Sequence, residues 1–197
     1  MTRTDIINYV IQKFGLESYL EIGVQFPDSN YNKIIANRKV GVEPFPVGDW
    51  LNLSVVKLTS DAFFKVIEPN VKYDAIFIDG LHTREQCLAD ILNSLNHISN
   101  NGFIFVHDCL PTAEYQTSET DNGREWTGPV WKSIVDIQKK DGIELCTIDT
   151  DWGIGCIRLN PEMVGKKIDS ILDWETYTMH KKELLNIKTV DEWQNTL

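Results

Sequence analysis

Several absences narrow the reading of this 197-residue sequence before any motif is considered. It has no apolar run approaching the roughly 20 residues of a membrane span, and its opening, MTRTDIINYV, lacks the apolar core of a secretion signal. Its four cysteines, Cys87, Cys109, Cys146 and Cys156, form no C-x-x-C pair and no zinc spacing. They read as reduced packing residues of a cytoplasmic protein. Basic residues are outnumbered, 19 Lys and Arg against 29 Asp and Glu. A net charge of -10 excludes a counterion-displacing nucleic-acid surface and disfavours docking on anionic lipid. Glycine is also missing where a nucleotide-binding turn would need it most. The stretch YLEIGVQFP, Tyr19 to Pro27, looks like a buried strand entering a ligand-binding turn, yet it holds Gly23 alone.

What is present describes one folded α/β domain. Ile6, Ile7, Val10, Ile11 and Phe14 recur at helical spacing, so a first amphipathic helix capped near Thr4 is expected. Strands follow at Tyr19–Val24, in KVGVEP ending at Glu43–Pro44, and in SVVKLT. A helix is expected from about Asp28–Asn30, burying Tyr31, Ile34 and Ile35. Ser60 caps another that carries Phe63, Phe64 and Ile67. YDAIFIDG is a continuous apolar run typical of a strand buried on both faces. Thr83-Arg84-Glu85-Gln86 then fits a capping box, with Leu88, Ile91, Leu92, Leu95 and Ile98 as the buried stripe. GFIFVHD is a fifth strand. The polar segment from Leu110 to Thr127 is too long for an ordinary connection and suits a binding loop or lid, its alternative being a disordered acidic insertion. A helix through Val130 and Trp131 and the hairpin IELCTID/GIGCIRL complete a domain spanning 1–159. Residues 160–197 read as a helical extension packed on or beside it.

Strands alternating with helices predict a doubly wound, mostly parallel sheet with a terminal antiparallel hairpin. Ligands of such sheets sit beyond the carboxyl ends of the strands. The residues on that rim are Glu21 to Val24, Glu43, Ser60–Asp61, Asp79 to His82, and His107–Asp108. A pyrophosphate needs extra glycines for close backbone approach, and here Val24, Gln25, Phe26 and Pro27 stand in their place. A nucleoside without phosphate escapes that penalty. S-adenosylmethionine is such a ligand: one glycine passes its methionine portion, and Glu21 suits its cationic end. Glu43 lies 22 positions after Glu21 at a strand end, the spacing at which an acid grips ribose hydroxyls. That spacing alone does not separate S-adenosylmethionine from NAD.

YLEIGV, VGVEPFP, TSDAFF, YDAIFIDGLHTREQ, NGFIFVHDCLP and WTGPVWK, in this order, resemble a bacterial family of class I S-adenosylmethionine-dependent methyltransferases. Its members often sit among genes for surface polysaccharides. The resemblance covers residues 18 to 158 and leaves the terminal tail outside. It implies a seven-strand Rossmann-like sheet, with Glu21, Gly23 and Glu43 holding the cofactor and Ser60–Asp61 near the adenine. Val24, Asp79 and Gly80 complete the expected cofactor-binding set on the same rim.

For the chemistry, a hydroxyl acceptor requires loss of a proton during methyl transfer. His82, His107 and Asp108 are the candidate catalytic residues. Each also has a structural reading: a strand-end histidine satisfied by backbone, or an aspartate capping a helix. A divalent metal on Asp79, Asp108 and His107 is the disfavoured alternative, because magnesium prefers all-oxygen sets. Adjacent residues of a strand, moreover, point to opposite faces, so His107 and Asp108 need not converge. The expected partner is a small-molecule acceptor, by family context a carbohydrate or nucleotide-linked sugar; a homo-oligomer is left open. Two rival functions accompany this reading: an NAD-dependent oxidoreductase on a similar sheet, and a catalytically silent S-adenosylmethionine-binding or scaffold protein.

Overall fold

In the computed structural model, which describes residues 1–121 and 123–197, the alternation of apolar side chains along each strand decides the architecture. The helix α1 (Arg3–Phe14) leads into β1 (Ser18–Ile22), and β2 (Arg38–Val42), β3 (Val55–Val56), α2 (Ser60–Val66) and β4 (Tyr73–Ile78) follow. Next come α3 (Arg84–His97), β5 (Ile98–Val106), α4 (Val130–Ile137), β6 (Ile143–Ile148) and β7 (Ile154–Leu159). The tail adds α5 (Trp174–Leu184), β8 (Ile187–Lys188) and α6 (Val190–Gln194). Leu20, Ile22, Ile76, Ile78, Ile104 and Val106 point to one face of the sheet, where α2, α3, α4 and α5 supply Phe63, Ile91, Ile134 and Tyr177. Tyr19, Ala75, Phe77, Phe103 and Phe105 point to the other, where α1 brings Ile6, Ile7 and Val10 and α6 brings Trp193. Both faces are covered, which is why the central strands read as unbroken apolar runs.

The sheet has the order β3-β2-β1-β4-β5-β7-β6-β8. All neighbours are parallel except β7, which runs antiparallel to β5 and β6. The expected doubly wound sheet and terminal hairpin are therefore observed. The eighth strand comes from the tail: Ile187 and Lys188 pair with Thr147 and Ile148 on the outer edge of β6. Asn186 Nδ2 donates to Leu145 O at 2.7 Å and Gln138 Nε2 donates to Leu184 O at 2.6 Å, fastening the tail to the sheet edge.

Local differences from the sequence-based expectation have identifiable causes. No α-helix forms after Asp28. Two short 3-10 turns, Pro27–Ser29 and Tyr31–Lys33, replace it, because Asn30 leaves helical backbone (φ -144°, ψ -57°) while its side-chain amide is drawn to Glu21 and Tyr19. Tyr31 and Ile34 are buried as expected, but Ile35 is exposed. The first helix is capped by Thr2 rather than Thr4, in a reciprocal capping box with Asp5. Thr59, not Ser60, caps α2. In α3 the buried face is Cys87, Asp90, Ile91, Ser94 and His97, with Leu92 turned outward.

The strand order reverses between β1 and β4, and the chain leaving β1 passes close to the end of β4 there. A side-chain carbon on Gly23 (φ +96°) would lie 2.0 Å from the Asp79 carbonyl oxygen. The lone glycine of the first turn is thus required by the fold itself. Gly23→Ala is expected to lower stability by about 3 kcal/mol, from left-handed strain plus backbone displacement. Urea denaturation would show this as a lower midpoint at unchanged slope.

Candidate active site

The rim at the carboxyl ends of β1, β4 and β5 carries a compact cluster of acids and bases. Asp79 follows β4, and His82 lies three residues further on, at the approach to α3. His82 Nε2 is 3.2 Å from Asp79 Oδ1 and its Nδ1 is 3.3 Å from Asp108 Oδ2. His107 Nδ1 lies 3.3 Å from Asp79 Oδ1 and 3.2 Å from Asp108 Oδ2. His107 and Asp108 do converge, which strand alternation alone would not bring about. The reason is that β5 ends at Val106, and Asp108 adopts left-handed backbone (φ 61°), which swings its carboxylate back over the rim.

Two further members come from distant parts of the chain. Asp151, in the β6–β7 turn, places Oδ1 3.7 Å from His107 Nε2. Arg3 bridges the cluster: NH1 reaches Asp79 at 2.8 Å, Nε reaches Asp151 at 3.0 Å, and the Arg3 backbone N–H donates to Asp151 at 2.6 Å. Three carboxylates are thus interleaved with one guanidinium and two imidazoles. Burial works to raise the Asp79 carboxyl, but His107 and His82 more than offset it and hold the group well below the usual carboxylate range. Burial likewise works against charge on His107, and Asp79, Asp108 and Asp151 override it, raising the imidazole well above its ordinary value. His82 is raised in the same sense by Asp79 and Asp108 against its own burial. The ring of His107 is 4 % exposed and that of His82 is 20 % exposed, so His82 is the more accessible imidazole.

His82 Nδ1 and both ring nitrogens of His107 are buried and complete no hydrogen bond of good geometry, despite their nearby carboxylates. Asp79, His82 and Asp108 each offer one ligand atom within 4.8 Å of the others. This mixed nitrogen and oxygen set fits a divalent transition ion better than magnesium. His107, the third metal candidate read from the sequence, falls outside that triplet.

The candidate cofactor residues line the same rim less uniformly. Glu43 follows β2, buried, with Oε1 accepting from Phe45 N at 2.8 Å; its own turn orients the carboxylate. Ser60 and Asp61 open α2 and are joined by Gln86 Nε2, at 3.2 Å from each, which also donates to Asp90 at 3.0 Å. Gln86 spends its amide there rather than completing the expected capping box. Gly80 lies beside Asp90 and Ile22. Val24 points into the α1 face of the core, so only its backbone is available to a ligand. Glu21 is buried and accepts from Tyr19 Oη at 2.5 Å and Asn30 Nδ2 at 2.9 Å. Burial is the main influence on it and raises its carboxyl to about 7 from an ordinary 4.5.

Residues 110–121 and 123–127 form a folded lid. Gln116, 1 % exposed, organises it: Oε1 accepts from Thr112 N and Ala113 N, and its carbonyl accepts from Thr127 N and Gly128 N. The return passes so close to His82 that a side-chain carbon on Gly128 (φ +61°) would lie 1.8 Å from the His82 carbonyl oxygen. Trp126 consequently stacks on the His82 ring, centroids 5.2 Å apart at 28°. Arg124 sits over Tyr115 at 5.2 Å. From the tail, Tyr177 Oη donates to Pro111 O at 2.9 Å, bracing the start of the lid.

Arg3 and Asp151 were not singled out by sequence reasoning, and Gln86 was read only as part of a capping box. A signal for Arg3 exists in retrospect. A helix joined to β1 by a short turn must run antiparallel to it, so its first residues stand at the carboxyl-end rim.

Comparison with known proteins accords with this layout. A family model described as a methyltransferase domain matches residues 31–109, less than half of the chain. Among curated proteins none matches at a significant level. A Podospora anserina methyltransferase solved with S-adenosylhomocysteine superposes with a TM-score of 0.61 at 15% identity, covering 80% of this chain and 78% of that one. A Bacillus cereus O-methyltransferase, also with S-adenosylhomocysteine, gives 0.59 at 15% identity over 81% and 82%. A methyltransferase of the mycinamycin biosynthetic pathway, in complex with Mg, S-adenosylhomocysteine and mycinamycin VI, gives 0.52 at 13% identity over 90% and 53%.

The raised Glu21 carboxyl yields a pH prediction. Its folded value exceeds its unfolded one, so its contribution to stability is fully present below about 4.5 and is lost as pH rises through about 7. Glu21→Gln, neutral throughout, is expected to gain in melting temperature relative to the unsubstituted protein between those pH values. A difference constant with pH would show that Glu21 is ionised in the folded state. Taken together, the strand order, the rim and these comparisons give the chain the class I methyltransferase fold.

Proposed function

We propose that this protein is an S-adenosylmethionine-dependent methyltransferase acting on an oxygen of a small molecule, namely a sugar, a nucleotide-linked sugar or a related compound. The observation that carries the reading is a glycine-poor first turn paired with an oriented carboxylate, Glu43, at the end of the next strand. The methyltransferase-domain match and the S-adenosylhomocysteine in structural neighbours support the choice of methyl donor. They also weigh against NAD, whose pyrophosphate would meet the exposed Phe26 side chain and, at Pro27, a residue with no N–H to donate.

In this reading Glu43 accepts from the ribose hydroxyls, and Ser60 and Asp61, steadied by Gln86, face the adenine. Gly23 lets the methionine portion pass, with Val24, Asp79 and Gly80 closing around it. His82, in its neutral form, is the proton acceptor: it is the accessible imidazole of the cluster, and the Asp79 and Asp108 carboxylates beside its nitrogens orient the ring and stabilise the imidazolium that forms. An acceptor hydroxyl that displaces one of those contacts meets an imidazole still held by the other. Asp108 and the buried His107 keep the local charge balanced when the proton arrives. Trp126 and Tyr115 offer flat faces for a sugar ring. A divalent ion on Asp79, His82 and Asp108 would act as a Lewis acid on the acceptor hydroxyl. Catalysis does not require one here, because the cluster's carboxylates already have Arg3 or an imidazole within 3.3 Å.

Calorimetry tests the cofactor half. S-adenosylmethionine or S-adenosylhomocysteine should bind at micromolar level and NAD hardly at all, and Glu43→Ala should weaken binding by about 1.5–3 kcal/mol. Unchanged affinity in that variant would remove Glu43 from the site. The chemical half is tested by methyl transfer from labelled donor to a panel of sugars and sugar nucleotides. His82→Ala should retain cofactor affinity and lose about a hundredfold in turnover, while turnover of the unsubstituted protein should survive chelation. Cofactor binding without transfer to any acceptor would favour a silent binding protein, and activity recovered only with added metal would make Asp79, His82 and Asp108 ligands.

A further inference from the structure

On the α1 and α6 face of the hairpin, away from the rim, two of the four cysteines stand directly opposite each other. Cys146 of β6 and Cys156 of β7 are register partners in an antiparallel pair, so their side chains emerge on the same face. Directly opposed antiparallel residues have Cα atoms about 4.5–5.5 Å apart, which lies inside the roughly 4.4–6.8 Å that a disulfide spans. Both cysteines are free thiols. They also line a cavity of about 30 Å³ bordered by Arg158, Asn186, Lys188, Trp193 and Leu197, which has room for a water-sized molecule. The buried Trp193 Nε1 completes no hydrogen bond there.

We propose that Cys146 and Cys156 are a peroxide-oxidisable thiol pair that closes reversibly into a disulfide across the β6–β7 hairpin. The two sulfurs are chemically unequal. The neighbouring Cys156 thiol lowers the Cys146 thiol against its burial, with help from the Lys188 ammonium and opposition from Glu144. The same proximity, together with burial, pushes Cys156 well up, although Trp193 and Arg158 act the other way. Cys146, the less deeply buried of the two and sharing the cavity with Lys188, is assigned as the nucleophile and Cys156 as the resolving thiol.

In the first step the Cys146 thiolate attacks one oxygen of hydrogen peroxide. The O–O bond breaks, and hydroxide leaves to take up the proton that Cys146 had released, giving water and a sulfenic acid. The Cys156 sulfur then attacks the Cys146 sulfur. The S–O bond breaks, and the hydroxyl departs with the Cys156 proton as a second water. Two thiols lose two electrons, and one peroxide is reduced to two waters. Cys87 and Cys109 provide an internal contrast. Burial raises both, Cys87 to about 12, and the Cys109 thiol donates to Val106 O. Cys156 stands opposite Phe105, two residues before His107, so the bridge would form one strand away from the candidate active site.

The test is intact-mass spectrometry of the folded full chain after hydrogen peroxide treatment, followed by thiol alkylation and peptide mapping. The expected result is loss of the mass of two hydrogens, a mapped Cys146–Cys156 link, and full reversal by dithiothreitol, with Cys87 and Cys109 still reduced. Cys156→Ser should stop at a sulfenic acid on Cys146 that dimedone traps, and Cys146→Ser should form no bridge. A link between other cysteines, four alkylatable thiols after treatment, or a bridge that forms only in denaturant would each overturn the proposal. So would the absence of dimedone adduct in Cys156→Ser.

Discussion

The close approach of β1 to β4 at the point where the strand order reverses is the constraint from which the site follows. Without a side chain, Gly23 lets the chain leaving β1 lie against the Asp79 carbonyl, and that contact sets the position of the Asp79 side chain on the rim. Any larger residue would push apart the two strands whose ends form the crevice. The same turn that excludes a phosphate cradle therefore places a carboxylate at the centre of a charged cluster. The sequence feature that seemed to be a defect in a binding motif is a packing requirement first.

Around Asp79 the structure balances charge in a partly desolvated space. Asp79, Asp108 and Asp151 would repel one another strongly if they stood alone. Arg3 and the two imidazoles separate them, and each of these groups belongs to a different element: α1, the approach to α3, and the end of β5. The cluster consequently ties the first helix, the central strands and the hairpin turn together at a single point. Loss of any one partner leaves another charge buried without compensation, which is more costly than the absence of the pair.

The lid and the tail show how segments that look like appendages become part of the site. The lid folds because one buried glutamine, Gln116, gathers the orphan backbone groups of both its ends. Its return is pressed against His82 by Gly128, and this brings Trp126 over the imidazole. The tail supplies an edge strand, a brace from Tyr177 to Pro111, and Trp193 beneath the hairpin. In the domain division read from the sequence these residues form a separate extension, and they contribute to the main sheet through β8.

Much of the fold was legible in the residues. Unbroken apolar runs identified the central strands, helical spacing identified α1 and α4, and strand ends named the rim from Glu21 to Asp108. These signals are local, arising from backbone geometry and from which side of an element meets the core, so a single sequence carries them. Helix onset after Pro27 was misread because the Asn30 amide is used by Glu21 and Tyr19, a contact that sequence spacing does not disclose. The convergence of His107 with Asp108 depended on a left-handed residue just beyond a strand end. Arg3, Asp151 and the facing cysteines Cys146 and Cys156 acquire their partners only when the sheet order and hairpin register are set. The sequence by itself determined the fold class and the residues on the rim. Tertiary structure alone decided which charges neutralise which, because that depends on distances between segments far apart along the chain.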